Sequence, residues 1–214
     1  MFKCDSPWRN LLHIELSRYT LNGRVADLGG SIKSEYTRFL NGDHAIEIVN
    51  MDENTNPDFS FDLEKPLALE SGAYDGVLCI NTLEHIFDYK NLLSEINRIL
   101  KNDGTLILAV PFLVQIHPSP NDYFRFSKQS LEKSLLENGF KNIIIKSVGK
   151  GPFTAAAQIK FNVLHFNFLR VVSRWIAQLL DSFIDEIVHL FSKKNNYNSD
   201  FYPVGYLVIA KNNS

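Results

Sequence analysis

Acids and glycines stand where apolar runs of the chain end. Val25-Ala26-Asp27-Leu28-Gly29-Gly30 closes one run with an acid and two glycines, Ala45 to Val49 is followed by Asp52, and Phe59 to Leu63 contains Asp62. Glycine directly after a strand lets backbone and ligand approach where a Cβ would clash. An acid at the end of the following strand can accept hydrogen bonds from ribose hydroxyls. The ordered set Asp27, Gly29, Asp52 and Asp62 therefore describes a site for an adenosine-containing cofactor. Taken alone, a strand ending in Gly-Gly is a bare turn. A second group, His117, Asp122, Tyr123 and Arg125, lies in the segment Pro111 to Phe126, which holds three of the chain's eight prolines. A long irregular loop inside a compact domain is usually functional. His117 or Asp122 is the candidate general base there. The plainer reading is that His117 and Arg125 cap loop carbonyls while the aromatic side chains pack.

Other candidates are weaker. His85 follows Glu84 where an apolar run meets a helix, and could face a substrate or cap that helix. His13, His44, His165 and His189 are scattered, with no HExxH or i,i+4 pair, so no metal site is expected. Gly149-Lys150-Gly151-Pro152 lacks the spacing and hydroxyl of a phosphate-binding loop.

The elements that must position these residues follow a rhythm. Ser6-Pro7 opens an amphipathic helix through Tyr19, and Asn22-Gly23 stops it. Strands are expected at Val25 to Leu28, Ala45 to Val49 and Asp75 to Ile80, with one short extended candidate at Phe59 to Leu63. Further strands are expected at Leu106 to Val110, from Ile143 and at Val204 to Ala210. Helices are expected at Ser34 to Leu40, around Leu92 to Leu100 and after Ser127. The run Leu106 to Val110 is apolar on both faces, as in a parallel sheet covered by helices on each side. The fold class is therefore α/β: a doubly wound, mostly parallel sheet with a helical insertion before its last strand, which the resemblance described below makes Rossmann-like with that last strand antiparallel. Residues 1–23 form an N-terminal helix and 24–214 the main domain, with the insertion at about 153–194. The insertion reads as two helices rich in Phe, Leu and Val. Packing on its own domain is the expectation; a dimer interface or a membrane surface are the alternatives.

Composition excludes several classes. Twenty-two Lys and Arg against twenty-four Asp and Glu give a net charge of −2 in 214 residues, which argues against nucleic acid as a partner. Cys4 and Cys79 are the only cysteines and make no CxxC pair, so neither disulfide framework nor zinc knuckle is expected. The first residues lack the apolar core of a signal peptide, and no stretch approaches the roughly 20 apolar residues of a transmembrane helix. A cytoplasmic protein is the expectation.

The motifs carry a resemblance. Val25 to Gly30 resembles the first motif of class I S-adenosylmethionine-dependent methyltransferases. Tyr74-Asp75-Gly76-Val77 through Asn81-Thr82-Leu83-Glu84-His85-Ile86 is similar to that family's fourth-strand motif and following helix, and Ile99 to Gly104 to its turn before the fifth strand. The similarity runs from about Arg24 to Val148, and the Gly205-Tyr206 strand fits the family's antiparallel seventh strand. The resemblance implies that S-adenosylmethionine is the cofactor. Asp27 would lie near the methionine amino group, Gly29 and Gly30 would line the cofactor, and Asp52 would hold the ribose. Asp62-Leu63 would face the adenine, and Ile80-Asn81 would border the methionine part. Ser31 and Lys33 stand where the family has further glycines. The His-Pro…Asn-Asp-Tyr…Arg-Phe loop resembles bacterial methyltransferases, many of them linked to surface-polysaccharide loci. It implies a small-molecule, sugar or glycan acceptor methylated at oxygen, with His117, Asp122 and Tyr123 as catalytic candidates. The rival reading is a non-catalytic interaction protein built on the same fold, and a monomer or a homodimer fits either.

Overall fold

A computed structural model describes residues 5–191 and 198–213; Cys4 and the last residues of the expected insertion, 192–194, lie outside them. Six strands form one sheet: β1 (Gly23–Leu28), β2 (His44–Val49), β3 (Tyr74–Ile80), β4 (Leu100–Pro111), β5 (Phe140–Val148) and β6 (Gly205–Asn212). Their spatial order is β2-β1-β3-β4-β6-β5. The first four pair in parallel, and β6 runs antiparallel between β4 and β5. The mostly parallel sheet is as expected from the apolar runs, and the antiparallel last strand is as the resemblance implies.

Side-chain alternation divides the core in two. Val77 and Cys79 of β3, with Leu106, Leu108 and Val110 of β4, face the helices α2 (Tyr89–Ile99) and α3 (Lys128–Glu137). Leu78, Ile80, Ile107 and Ala109 face the opposite side, which is closed by Trp8, Leu12 and Leu16 of α1 (Pro7–Leu16). Ser6 caps α1 by accepting from the Arg9 amide, with Pro7 at its first position. Burying both faces of the central strands removes several hundred Å² of apolar surface from water, the dominant stabilising term.

Two local expectations are corrected. Ser34 to Leu40 was expected as a helix, but the chain makes a single 3₁₀ turn at Tyr36–Phe39. The segment is tied down because the Tyr36 hydroxyl reaches the Asp27 carboxyl at 2.8 Å. Phe59 to Leu63 adds no strand; only Phe59 bridges Val49. The Asp58 carboxyl accepts from the Ile48 amide at 2.7 Å, so a side chain occupies the β2 edge that a third strand would have used.

The insertion is two helices, α4 (Pro152–Lys160) and α5 (Asn167–Phe191). Its expected packing, apolar face inward, is not what the chain does. Of the described α5 side chains, Ala177 and Asp181 are buried, while Phe168, Trp175, Leu179, Phe183 and Leu190 are 59–78% exposed. The polar face sets this rotation. Asp181 accepts from the amides of Phe153 and Thr154, at 3.1 and 2.7 Å, and so caps α4. Arg174 donates to the Asp5 carbonyl, and Arg170 donates to the Leu164 carbonyl beneath the Phe161 ring. A Cβ at Gly151 would lie 2.3 Å from the Asp181 carboxyl carbon, so the capping contact requires glycine. Among the described residues no helix is long and apolar enough to cross a membrane.

Candidate functional site

Sheet order reverses around β1 and β3, and a cleft of about 660 Å³ opens at their carboxyl ends. It is within the usual size of small-molecule sites. Of the residues singled out in the sequence, the cleft brings together Gly29, Asp52, Asp62, Leu63, Asn81 and Tyr123. Asp27, Gly30, Ile80, His117 and Asp122 do not line it. Thr82, His85 and Asn121 do, and sequence reasoning gave them no role in the cofactor site.

The glycine turn is enforced by close packing. Gly29 has φ of +79°, and a Cβ there would meet the Thr82 hydroxyl at 2.4 Å. At Gly30 a Cβ would fall 2.1 Å from an Asp27 oxygen. Asp27 therefore lies beneath the turn, fully buried, and burial pushes its carboxyl up to about 7 despite the Tyr36 hydrogen bond. Asn50 ties the turn to β2 by donating to the Gly30 carbonyl at 2.8 Å. Asp52 is exposed at the cleft, and its Oδ1 accepts from the Asn54 amide at 2.9 Å. Asn81 adopts a left-handed φ of 53°, which aims its amide at α1, where its Oδ1 accepts from the Trp8 indole at 2.8 Å. Ile80 is a core residue one position earlier.

The Pro111 loop forms the facing wall. Arg125 binds Asp122 through both guanidinium arms and donates to the Phe124 and Gln115 carbonyls at 2.8 and 3.1 Å. Asp122 Oδ2 also accepts from the His117 amide at 2.8 Å. Asp122, a candidate base in the sequence, is thus engaged on both oxygens, and Arg125 holds it well below the usual carboxylate range. It fixes the loop instead. The loop docks through the Tyr123 amide, which donates to the Glu84 carbonyl at 2.8 Å.

That docking stacks His117 edge-on against His85, ring centroids 5.1 Å apart. Both rings point toward Glu84, which is fully buried, and among the described residues neither Glu84 carboxyl oxygen accepts a hydrogen bond. Leaving a buried polar group so placed costs about 1–3 kcal/mol. Glu84 Oε1 lies 3.7 Å from His85 Nε2 and 3.6 Å from His117 Nε2. The Glu84 carboxyl beside it raises the His117 imidazole, the Gln115 carbonyl adds to this, and burial opposes it. Sequence reasoning flagged both histidines separately, but their meeting depends on how the loop folds back.

Comparison with known proteins agrees with this geometry. Residues 31–108 match the family model described as a methyltransferase domain. An uncharacterized protein of Methanocaldococcus jannaschii is 39% identical over 84 residues, which span 38% of this chain and only 37% of that protein. A SAM-dependent methyltransferase of Archaeoglobus fulgidus superposes with a TM-score of 0.58 at 17% identity, over 95% of this chain and 94% of that one. Phosphoethanolamine N-methyltransferase 2 of Haemonchus contortus, solved with phosphomonomethylethanolamine and S-adenosylhomocysteine, gives 0.57 at 16% identity over 95% and 52%. At these identities the solved structures speak for the fold. Residues 31–108 thus match a methyltransferase domain, within a chain whose fold is the one shared by these S-adenosylmethionine-dependent methyltransferases of known structure.

Proposed function

We propose that the protein transfers a methyl group from S-adenosylmethionine to an oxygen of a small-molecule, sugar or glycan-type acceptor. The observation that carries this reading is the shared cleft, where Gly29, Asp52, Asp62, Leu63 and Asn81 line the β-strand ends and His85, Asn121 and Tyr123 face them. The residues fit such a cofactor. The Gly29 turn leaves room for close backbone approach, Asp52 reaches ribose hydroxyls, Asp62-Leu63 borders the adenine, and Asn81 borders the methionine part. Asp27, Gly30 and Ile80 act from beneath, by shaping the turn. Bound S-adenosylmethionine supplies a methyl already activated on sulfonium, so the protein's task is to align the acceptor and exclude water.

The Pro111 loop supplies the acceptor side. His117 holds its Nδ1 on the Gln115 carbonyl at 2.9 Å, which leaves Nε2 to take a hydroxyl proton. Tyr123 borders the acceptor from the cleft wall, and Asp122 positions His117. Calorimetric titration with S-adenosylhomocysteine tests the reading: micromolar binding is expected, and no binding near millimolar ligand removes it.

One observation favours a partner as well. At roughly 100° per residue the exposed apolar stripe of α5 is about 140° wide, and it presents on the order of 1,000 Å². That exceeds both the patch size of ordinary monomers and the ~800 Å² each partner buries in a standard interface. Val171 and Ser182 border it on one side and Ser173 and Ile184 on the other, and Glu186 is exposed within it. A membrane-resting helix would instead flank its apolar face with Lys and Arg. A second copy of this chain, seated face to face on α5, is the occupant favoured by the area and by borders that lack Lys and Arg. The same stripe favours the rival reading of a non-catalytic interaction protein, which the S-adenosylhomocysteine titration separates from the first.

A further inference from the structure

Spacing along the sequence gave no reason to expect a metal, yet the fold gathers three ligand-type side chains on one point. The candidate ligand atoms of Glu84, His85 and His117 all lie within 4.8 Å of one another. We propose that these three side chains bind a divalent transition metal of the zinc class, with the remaining coordination position turned toward the cleft.

Three features support the assignment. The first is tautomer control. His85 Nδ1 meets the Asn121 carbonyl and His117 Nδ1 the Gln115 carbonyl, and a carbonyl oxygen only accepts. Each ring therefore carries its proton on Nδ1 and turns a bare Nε2 lone pair toward Glu84. A histidine whose other nitrogen donates to a backbone carbonyl is the usual state of a metal ligand. Asp122 Oδ2, 3.4 Å from His117 Nδ1, adds the carboxylate that often backs such a histidine.

The second feature is distance. An imidazolium paired with Glu84 would close to hydrogen-bonding range on one side. Instead the two Nε2 atoms stand off from the same oxygen almost equally, at 3.7 and 3.6 Å. Two ligands sharing a tetrahedral ion with bonds near 2.0–2.1 Å lie roughly 3.3 Å apart, so small side-chain adjustments close the site.

The third feature is Glu84 itself, fully buried, with neither oxygen receiving a donor from the described residues. A cation satisfies it where no donor does. Two imidazoles and one carboxyl with an open position suit zinc and its transition-metal neighbours, whereas magnesium and calcium prefer all-oxygen sets.

The position has a consequence for the acceptor. His85 lines the cleft, so the fourth position opens where an acceptor oxygen would stand; with the ion bound, His117 Nε2 is a ligand in place of a base, and the ion would acidify a coordinated hydroxyl, its proton leaving to solvent. This clause rests on the methyl-transfer reading; the metal site does not. The favoured acceptor is then one that can place a hydroxyl on the ion, as vicinal diols do.

The test uses the full-length protein dialysed against chelator. Zn²⁺ is titrated in competition with a chromophoric chelator, and Co²⁺ is added separately to read its visible absorption. Expected is one site per chain, with the intense Co²⁺ bands of four- or five-coordination, displaced by Zn²⁺ and untouched by millimolar Mg²⁺. E84Q and H117A should each weaken Zn²⁺ at least 100-fold. H117A alters a partly exposed loop side chain, so it keeps the test valid should E84Q fail to fold. Wild-type protein that binds no Zn²⁺ below 0.1 mM would overturn the site, as would unchanged affinity in folded H117A. S-adenosylhomocysteine affinity, measured on the same samples, fails or survives independently and reports on the cofactor reading alone.

Discussion

The Tyr36 hydroxyl lies 2.8 Å from both carboxyl oxygens of Asp27, under the glycine turn that ends β1. Burial raises the Asp27 carboxyl, the Tyr36 hydroxyl alone opposes it, and no cation among the described residues acts to hold it ionised; the neighbouring Cys79 thiol is likewise pushed up by burial. Folded Asp27 keeps its proton up to about 7, whereas an unfolded aspartate loses it near 3.8. Between those values the folded state binds more protons, so stability falls as pH rises through that window. The contribution is fully present below pH 3.8 and gone above about 7, and it amounts to a few kcal/mol. Urea midpoints of wild type and Asp27→Asn, compared from pH 4 to pH 8, should converge or cross as pH rises. Parallel curves would show that Asp27 titrates normally.

A cofactor carrying a cationic amino group near that turn would favour ionised Asp27. S-adenosylhomocysteine binding should then release protons at pH 6 and tighten toward pH 7.5, read by calorimetry in buffers of different ionisation enthalpy. Asp27→Asn should abolish the proton release.

Asp52 stands exposed at the cleft mouth with one oxygen on Asn54. Asp52→Ala should weaken S-adenosylhomocysteine by about 10- to 100-fold, roughly 1.4–3 kcal/mol, without changing thermal stability by more than a degree or two. Wild-type affinity in this variant would remove the ribose assignment.

Arg125 organises the Pro111 loop through a two-armed ion pair and neighbouring carbonyls. A lysine keeps the charge but not the fork, so Arg125→Lys should cost about 1–3 kcal/mol and expose residues 111–126 to limited proteolysis. His117→Ala should leave that protection intact while turnover falls about 10²–10⁴-fold, the worth of a positioned acid–base group. Equal proteolysis of the two variants would reduce His117 to a packing role.

The α5 stripe predicts a dimer by light scattering. Leu179→Glu with Phe183→Glu should give a monomer that folds normally, because both side chains point away from the protein, at 66% and 60% exposure. A monomeric wild type ends the self-association reading.

Much of this architecture can be read without coordinates. Val25 to Leu28, Val77 to Ile80 and Leu106 to Val110 are apolar on both faces, and such runs have few homes besides a central parallel strand. What escapes reading is decided by single side chains acting at a distance. Asp58 closes the β2 edge and Tyr36 pins the turn at Asp27, and neither contact has a local signature. Asp181 inverts α5 in the same way: periodicity identifies the apolar face but not that the opposite face would be held by a cap on α4. The site divides similarly. Gly29, Asp52 and Asn81 follow strands and are legible as strand-end residues, whereas Asp62 reaches the cleft from a turn that no strand directly precedes. Glu84 hides in a turn that reads as polar, because its burial depends on a loop some thirty residues onward folding back over it.

Trp8 bonds the cleft residue Asn81 through its indole nitrogen and packs so tightly that a Cβ on Gly205 would come within 2.4 Å of its ring. The other tryptophan, Trp175, is 59% exposed on α5. The chain therefore carries two spectrally distinct emitters, one reporting on the cleft and one on the outer face of α5. With Trp175→Phe a single buried fluorophore remains, hydrogen-bonded to the wall of the binding site. Its emission becomes an internal gauge of occupancy, able to follow ligand entry in stopped flow without a label.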